Sequence, residues 1–338
     1  MKLCSEKDRA RGLHELRKLP HIDASVTEAL RAELSSPSYT TRSSGWRLAE
    51  AKALLDEYAV GNAYSPVNPD RTLKHIERMK SHAPEFFEKT FLGGAKVIDY
   101  GAGVYSTFNQ AIILIANGVK RVVCVEPGLI RKDVVKASAL QVLQSIHVDP
   151  ERFNLVGLSP SALARNIESL DFSKLDDEDD FGVGGIDFVS EISQIDQSES
   201  FDLIVSTSVL EHVVELDAEV SRQYRLLGKG GAALHVVDFT DHRHSAENYH
   251  PFLFYFDGFL KDCSGLRVSE IEQVFVENGF EIARRDERKF PGQLDRAEII
   301  DRFSGMSEDD LRTEMAVLAA EKPGRRVARV RKLLPWMK

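Results

Sequence analysis

The spacing of apolar positions changes near residue 95 and divides the chain there. In 46–58, WRLAEAKALLDEY, Leu48, Leu54, Leu55 and Tyr58 fall near one face at helical spacing. The turn-rich GNAYSPVNPD ends that element, and 72–91 offers a second amphipathic segment broken at Pro84. These residues predict a polar helical cap, not an independent unit. From Ala95 short, nearly continuous apolar runs take over. AKVIDYGAG predicts a buried strand feeding a tight turn, 107–117 a helix stopped by Gly118, KRVVCVEPG a second buried strand, and 133–146 another helix. Alternation with short joints is the pattern of a parallel sheet with right-handed crossovers.

The acidic, glycine-containing stretch 169–185 reads as a solvated loop. Further strands are expected at 186–189, 201–206 and 232–237, with helices at 216–227 and 269–278 and a last strand at 280–283. After Pro291 the chain is charged and helical in character, ending in GRRVARVRKLLPWMK. The expected fold is α/β. A doubly wound, Rossmann-like sheet occupies 93–290, an N-terminal helical cap 1–92, and a charged helical extension with a basic tail 291–338.

Composition narrows the classes. A formal net charge of -9 argues against a cationic face spread over the surface, so no nucleic-acid partner is expected. The basic tail reads as a loosely docked helix or as a weak contact with an anionic membrane surface. Cys4, Cys124 and Cys263 form no CxxC pair, which suits a reducing cytoplasm. The N-terminus lacks an apolar h-region and no run of about 18 apolar residues occurs, so a soluble chain is expected.

The densest candidate chemistry lies at strand ends. In VIDYGAG, Gly101 and Gly103 let the backbone approach a ligand closely, and the following helix turns its free N–H groups toward it. With Ser106 the segment also reads as a permissive GxGxxS dinucleotide fingerprint, so a nicotinamide-dependent oxidoreductase is an alternative. Asp99 weighs the other way. Just before the glycines a carboxylate crowds a pyrophosphate but receives a cationic amino-acid group. Glu126, ending the second strand, suits two ribose hydroxyls in either reading.

FDLIVSTSVLEHV adds a buried strand that ends in hydroxyl residues and a helix start at Glu211-His212. With these pieces in order, the chain resembles the class I S-adenosyl-L-methionine (SAM) dependent methyltransferases. VIDYGAG resembles their glycine motif, VVCVEP their acidic strand end, FDLIVSTSVLEHV their fourth strand and YRLLGKGGAALHVVD their helix–turn–fifth strand, over roughly 95–285. Tyr105 replaces the frequent third glycine. The resemblance implies SAM as cofactor, with Asp99, Gly101 and Gly103 around its methionine portion and Glu126 on the ribose. Glu191 or Ile192 would lie beside the adenine, and Ser206 joins the cofactor-binding set. LHVVDFTDHRH and GLRVSEIEQVFVENGFEI are similar to bacterial methyltransferases found with polysaccharide-assembly genes, which implies a small-molecule or glycan acceptor.

His235, Asp238, Asp241, His242 and His244 gather at the end of a central strand, where doubly wound sheets bind ligands. A hydroxyl acceptor needs a base. His235 or His242 is the expected base, with Asp238 or Asp241 as its orienter or as an acceptor-binding group. The same residues also read as a solvated polar loop, or as a divalent-metal site of Asp238, Asp241 and a histidine. A non-catalytic binding subunit on the same fold is a further reading.

Overall fold

The computed structural model describes residues 69–87, 94–177, 179–242, 250–260 and 263–324. The segment 46–58, the basic tail and His244 lie outside them. Helix α1 (Pro69–His82) starts on a proline whose missing N–H is not needed in the first turn. It buries Leu73, Ile76 and Met79 along one face, as the 72–91 pattern predicts.

One seven-stranded sheet has the order β3-β2-β1-β4-β5-β7-β6. The described residues fall into two compact units, those within 1–78 and 87–191 and those within 79–86 and 192–338. In the first, β1 (Lys96–Tyr100), β2 (Arg121–Val125) and β3 (Ile186–Val189) run parallel. The last four residues of β1 and of β2 are buried, which is why both read as continuous apolar runs. Helix α2 (Asn109–Ala116) buries every residue except Gln110, so its sequence is apolar all round. Helices α3 (Lys132–Val148) and α4 (Pro160–Glu168) contact it. The sequence reading omits α4, although Ser159 accepts a hydrogen bond from the Ala162 N–H at 3.2 Å and Pro160 opens the helix.

In the second unit β4 (Phe201–Thr207) and β5 (Leu227–Asp238) are parallel, joined through α5 (Leu216–Leu226). A short helical turn α6 (Phe254–Asp257) and helix α7 (Val268–Glu277) precede β6 (Glu281–Lys289). Two further turns, α8 (Asp301–Ser304) and α9 (Glu308–Leu311), lead into β7 (Thr313–Glu321). Strand β7 pairs antiparallel with both β5 and β6, which makes the sheet mixed.

The fold is the α/β, Rossmann-like class that the motifs imply. One element differs. The stretch after residue 290 is not a helical extension, because β7 completes the sheet there. TEMAVLAAE is rich in helix formers, but Ala316 to Ala320 are buried between two strands, and tertiary pairing overrides local preference. Among the described residues no helix is long and apolar enough to cross a membrane.

Candidate functional site

In the first unit the site is built on the turn after β1. Gly101 (φ 73°) and Gly103 (φ 93°) both hold the left-handed backbone that side chains disfavour. The N–H groups of Gly101 and Ala102 donate to the Val125 carbonyl at 2.8 and 3.0 Å, which pins the turn to the end of β2. Glu126 follows directly. Its carboxylate accepts the Gly103 N–H on Oε2 at 2.7 Å and the Gly128 N–H on Oε1 at 2.8 Å. A carboxylate offers about four lone-pair positions, so two remain for hydroxyl groups. A Cβ at Gly128 would lie 2.8 Å from Glu126 Oε1, and one at Gly103 would lie 3.2 Å from Ser106 Oγ. The two glycines keep this cradle open.

Asp99 is buried, 3% exposed. Its Oδ1 accepts from Gln110 Nε2 at 2.7 Å, while Oδ2 is buried with no hydrogen-bond partner. Burial, reinforced by the nearby Glu126 charge and opposed by the Gln110 hydrogen bond, pushes its carboxyl up to about 7. A cationic group would supply both the missing partner and the missing charge. Gln110 is a site residue that sequence reasoning missed. Its signal was the second of two polar positions, Asn109 and Gln110, that open an otherwise apolar helix. Asp99, Gly101, Gly103 and Glu126 are thus brought together. Of the two residues expected beside the adenine, Glu191 is exposed and Ile192 buried.

In the second unit the structure redistributes the roles. His235 is fully buried and faces α5 and α7, with its ring 5.3 Å from that of Phe275. Its Nε2 pairs with Gln223 Oε1 at 3.1 Å and its Nδ1 with Ser206 Oγ at 2.6 Å. Burial pulls its pKa down to about 3. With both nitrogens engaged and no open surface, His235 cannot serve as the base. The Ser206 hydroxyl is buried and taken up by His235. Both belong to the packing beneath the strand ends.

Asp241 is also buried. Its Oδ2 accepts from the Phe254 N–H at 3.1 Å and its own N–H donates to the Pro251 carbonyl, so it anchors the loop around α6. Asp238 is half-buried and accepts the N–H and hydroxyl of Thr240 on Oδ1 at 2.9 and 2.7 Å.

The group that does assemble is Glu211, His212 and His242. The short turn Leu210–His212 follows Ser208, the only non-glycine residue with positive φ (55°) among the described residues. Such strain persists where the surroundings impose it. Here the Ser208 N–H donates to the Val236 carbonyl at 2.8 Å. Glu211 is 4% exposed, and its Oε1 accepts from the Asp238 N–H at 3.4 Å. Burial, with a smaller contribution from the Asp238 charge, pushes its carboxyl up to about 8. The His212 and His242 rings lie 4.9 Å apart, tilted by 49°.

Residues 72–284 match a family model described as a methyltransferase domain. No curated protein matches the sequence. Solved structures with some likeness include the N-methyltransferase NodS from Bradyrhizobium japonicum WM9 in complex with S-adenosyl-L-homocysteine. It is 13% identical, with 81% of this chain and 98% of that one covered, at a TM-score of 0.38. An S-adenosylmethionine-dependent methyltransferase from Mesorhizobium loti is 14% identical over 70% and 96% of the two chains, at 0.37. One from Methanosarcina mazei is 14% identical over 68% and 93%, at 0.39. Likeness at this level carries no residue assignments.

Proposed function

The chain belongs to the methyltransferase-domain family, and from that premise we propose that it methylates a hydroxyl group of a small-molecule or carbohydrate acceptor. Its cofactor is S-adenosyl-L-methionine. The observation that carries this reading is the buried, partnerless Oδ2 of Asp99 beside a glycine turn and the fixed Glu126 carboxylate. Asp99 would hold the cationic amino group of the cofactor, Gly101 and Gly103 its methionine portion, and Glu126 the ribose hydroxyls. When bound, SAM supplies an electrophilic methyl group on a sulfonium sulfur. The protein's part at the acceptor is to receive the hydroxyl proton as the oxygen becomes a nucleophile. Of the four residues expected to do so, His242 and Asp238 keep accessible side chains at the end of β5. The sugar or glycan class rests on the likeness of the β5 and α7 segments to polysaccharide-associated enzymes. The cytoplasm is the setting proposed, with an acceptor and no nucleic acid as partner. A membrane contact through the basic tail concerns residues outside those described.

Transfer of tritium from methyl-labelled SAM to a panel of sugars, lipid-linked saccharides and small metabolites tests the function. Label on hydroxyl oxygen is the expected outcome; label confined to amines, or none on any acceptor, would refute O-methylation.

Asp99 also gives the cofactor affinity a pH dependence. The cofactor's ammonium prefers the ionised carboxylate, and below about pH 7 that carboxylate is protonated, so binding must release a proton. Affinity for S-adenosylhomocysteine is therefore full above pH 7 and weakens as pH falls, by about tenfold between pH 8 and pH 6. Calorimetric titration across that range measures it, with Asp99→Asn expected to bind weakly and without this slope. An equal slope in Asp99→Asn would assign the proton elsewhere.

A further inference from the structure

We infer that Glu211, His212 and His242 form a binding site for one divalent first-row cation, with two imidazole nitrogens and one carboxylate oxygen as ligands. The ligating atoms of these three side chains all lie within 4.8 Å of one another. Bonds of about 2.0–2.2 Å at tetrahedral angles place the ligands of one such ion roughly 3.3–3.6 Å apart, so a side-chain shift of at most about 1.5 Å closes the set. The side chains that must move are the exposed His212 and the half-buried His242.

Glu211 supplies the second observation. Its Oε2 is buried with no hydrogen-bond partner, and no lysine or arginine pairs with it among the described residues. A buried carboxylate oxygen in that condition is costly unless a cation meets it.

Two nitrogens and one oxygen select zinc, manganese, iron or cobalt over magnesium or calcium, which prefer oxygen alone. Three protein ligands also leave coordination positions open, and burial decreases from Glu211 through His242 to His212. What enters them rests on the methyl-transfer reading. An acceptor hydroxyl bound there would be acidified by the ion, which leaves Asp238 as the residue to receive its proton.

Cobalt(II) is the probe for the test, added to the metal-stripped 338-residue chain without cofactor or acceptor. One equivalent is expected to bind and give visible d–d absorption. His212→Ala and His242→Ala, whose side chains are not in the core, are each expected to bind at least tenfold more weakly, with unchanged circular dichroism. No absorption in the parent chain, or equal binding in both variants, would overturn the site. Because the titration contains no methyl donor, a failed titration with successful tritium transfer removes only the metal. Successful titration without transfer removes only the proposed reaction.

Discussion

Glu126→Ala is expected to weaken binding of SAM and S-adenosylhomocysteine at least 100-fold while the chain stays folded. Two losses combine. The carboxylate holds the Gly103 and Gly128 N–H groups at 2.7 and 2.8 Å, and its removal leaves both amides without an acceptor and frees the glycine turn. It also removes the charged acceptor for the ribose hydroxyls, where each hydrogen bond to a charged group contributes roughly 1.5–3 kcal/mol. About 3 kcal/mol in total corresponds to more than a hundredfold in the dissociation constant. Glu126→Gln keeps the shape and one carbonyl oxygen, so an intermediate loss is expected, with one of the two amides still satisfied. Isothermal titration with S-adenosylhomocysteine reads both variants, and a melting curve confirms folding. Binding of the alanine variant within threefold of the parent would show that the cofactor is held elsewhere. A dinucleotide's ribose would need Glu126 as well, so a parallel titration with NADH excludes the oxidoreductase reading if no binding occurs.

How much of this was legible in the sequence depends on the range over which each signal acts. β1, β2 and most of β4 are buried, so their apolar runs identified them within a residue or two, and the shorter edge strand β3 was found from its apolar start at Ile186. The glycine turn after β1 was equally local. Asp99, Gly101, Gly103 and Glu126 are brought together by two adjacent strands with a single crossover. The grouping of residues in the second unit was not local. His235 and Asp238 are three residues apart on one strand, yet the first sits beneath helices and the second lies at the strand end. The period of two in β-structure turns neighbouring side chains to opposite faces, and sequence concentration of polar residues cannot say which face is open. Glu211 was visible only as part of a motif, since its relation to His242 depends on how the loops after β4 and β5 return. β7 was misread for the same reason, because an alanine- and leucine-containing segment becomes a strand only when two partners flank it.

Arg267→Met is expected to lower the melting temperature by roughly 4–7 °C, corresponding to about 3–5 kcal/mol, and to leave S-adenosylhomocysteine affinity within tenfold of the parent well below that temperature. In the sequence this residue stands in LRVSE, a segment resembling an acceptor-related subfamily mark. In the structure it is 0% exposed. Its guanidinium donates to the carbonyls of Phe239, Asp310, Leu311 and Thr313. The rings of Phe239, Phe252 and Tyr255 lie 4.9, 5.3 and 5.4 Å from its central carbon. The backbone N–H of Arg267 donates to Glu270 Oε2 at 2.8 Å and so helps to start α7. One planar fork therefore ties the chain leaving β5 to the chain entering β7, where backbone carbonyls would otherwise be buried without donors. Methionine fills the volume but donates nothing, and orphaned carbonyls cost more than the removed charge returns. Lysine keeps the charge but places it at a point, so Arg267→Lys should lose about half as much stability. Thermal melts of both variants beside S-adenosylhomocysteine titration separate packing from recognition. Unchanged melting with lost acceptor turnover would instead assign Arg267 to substrate recognition, and the buried fork would then have no structural role to explain it.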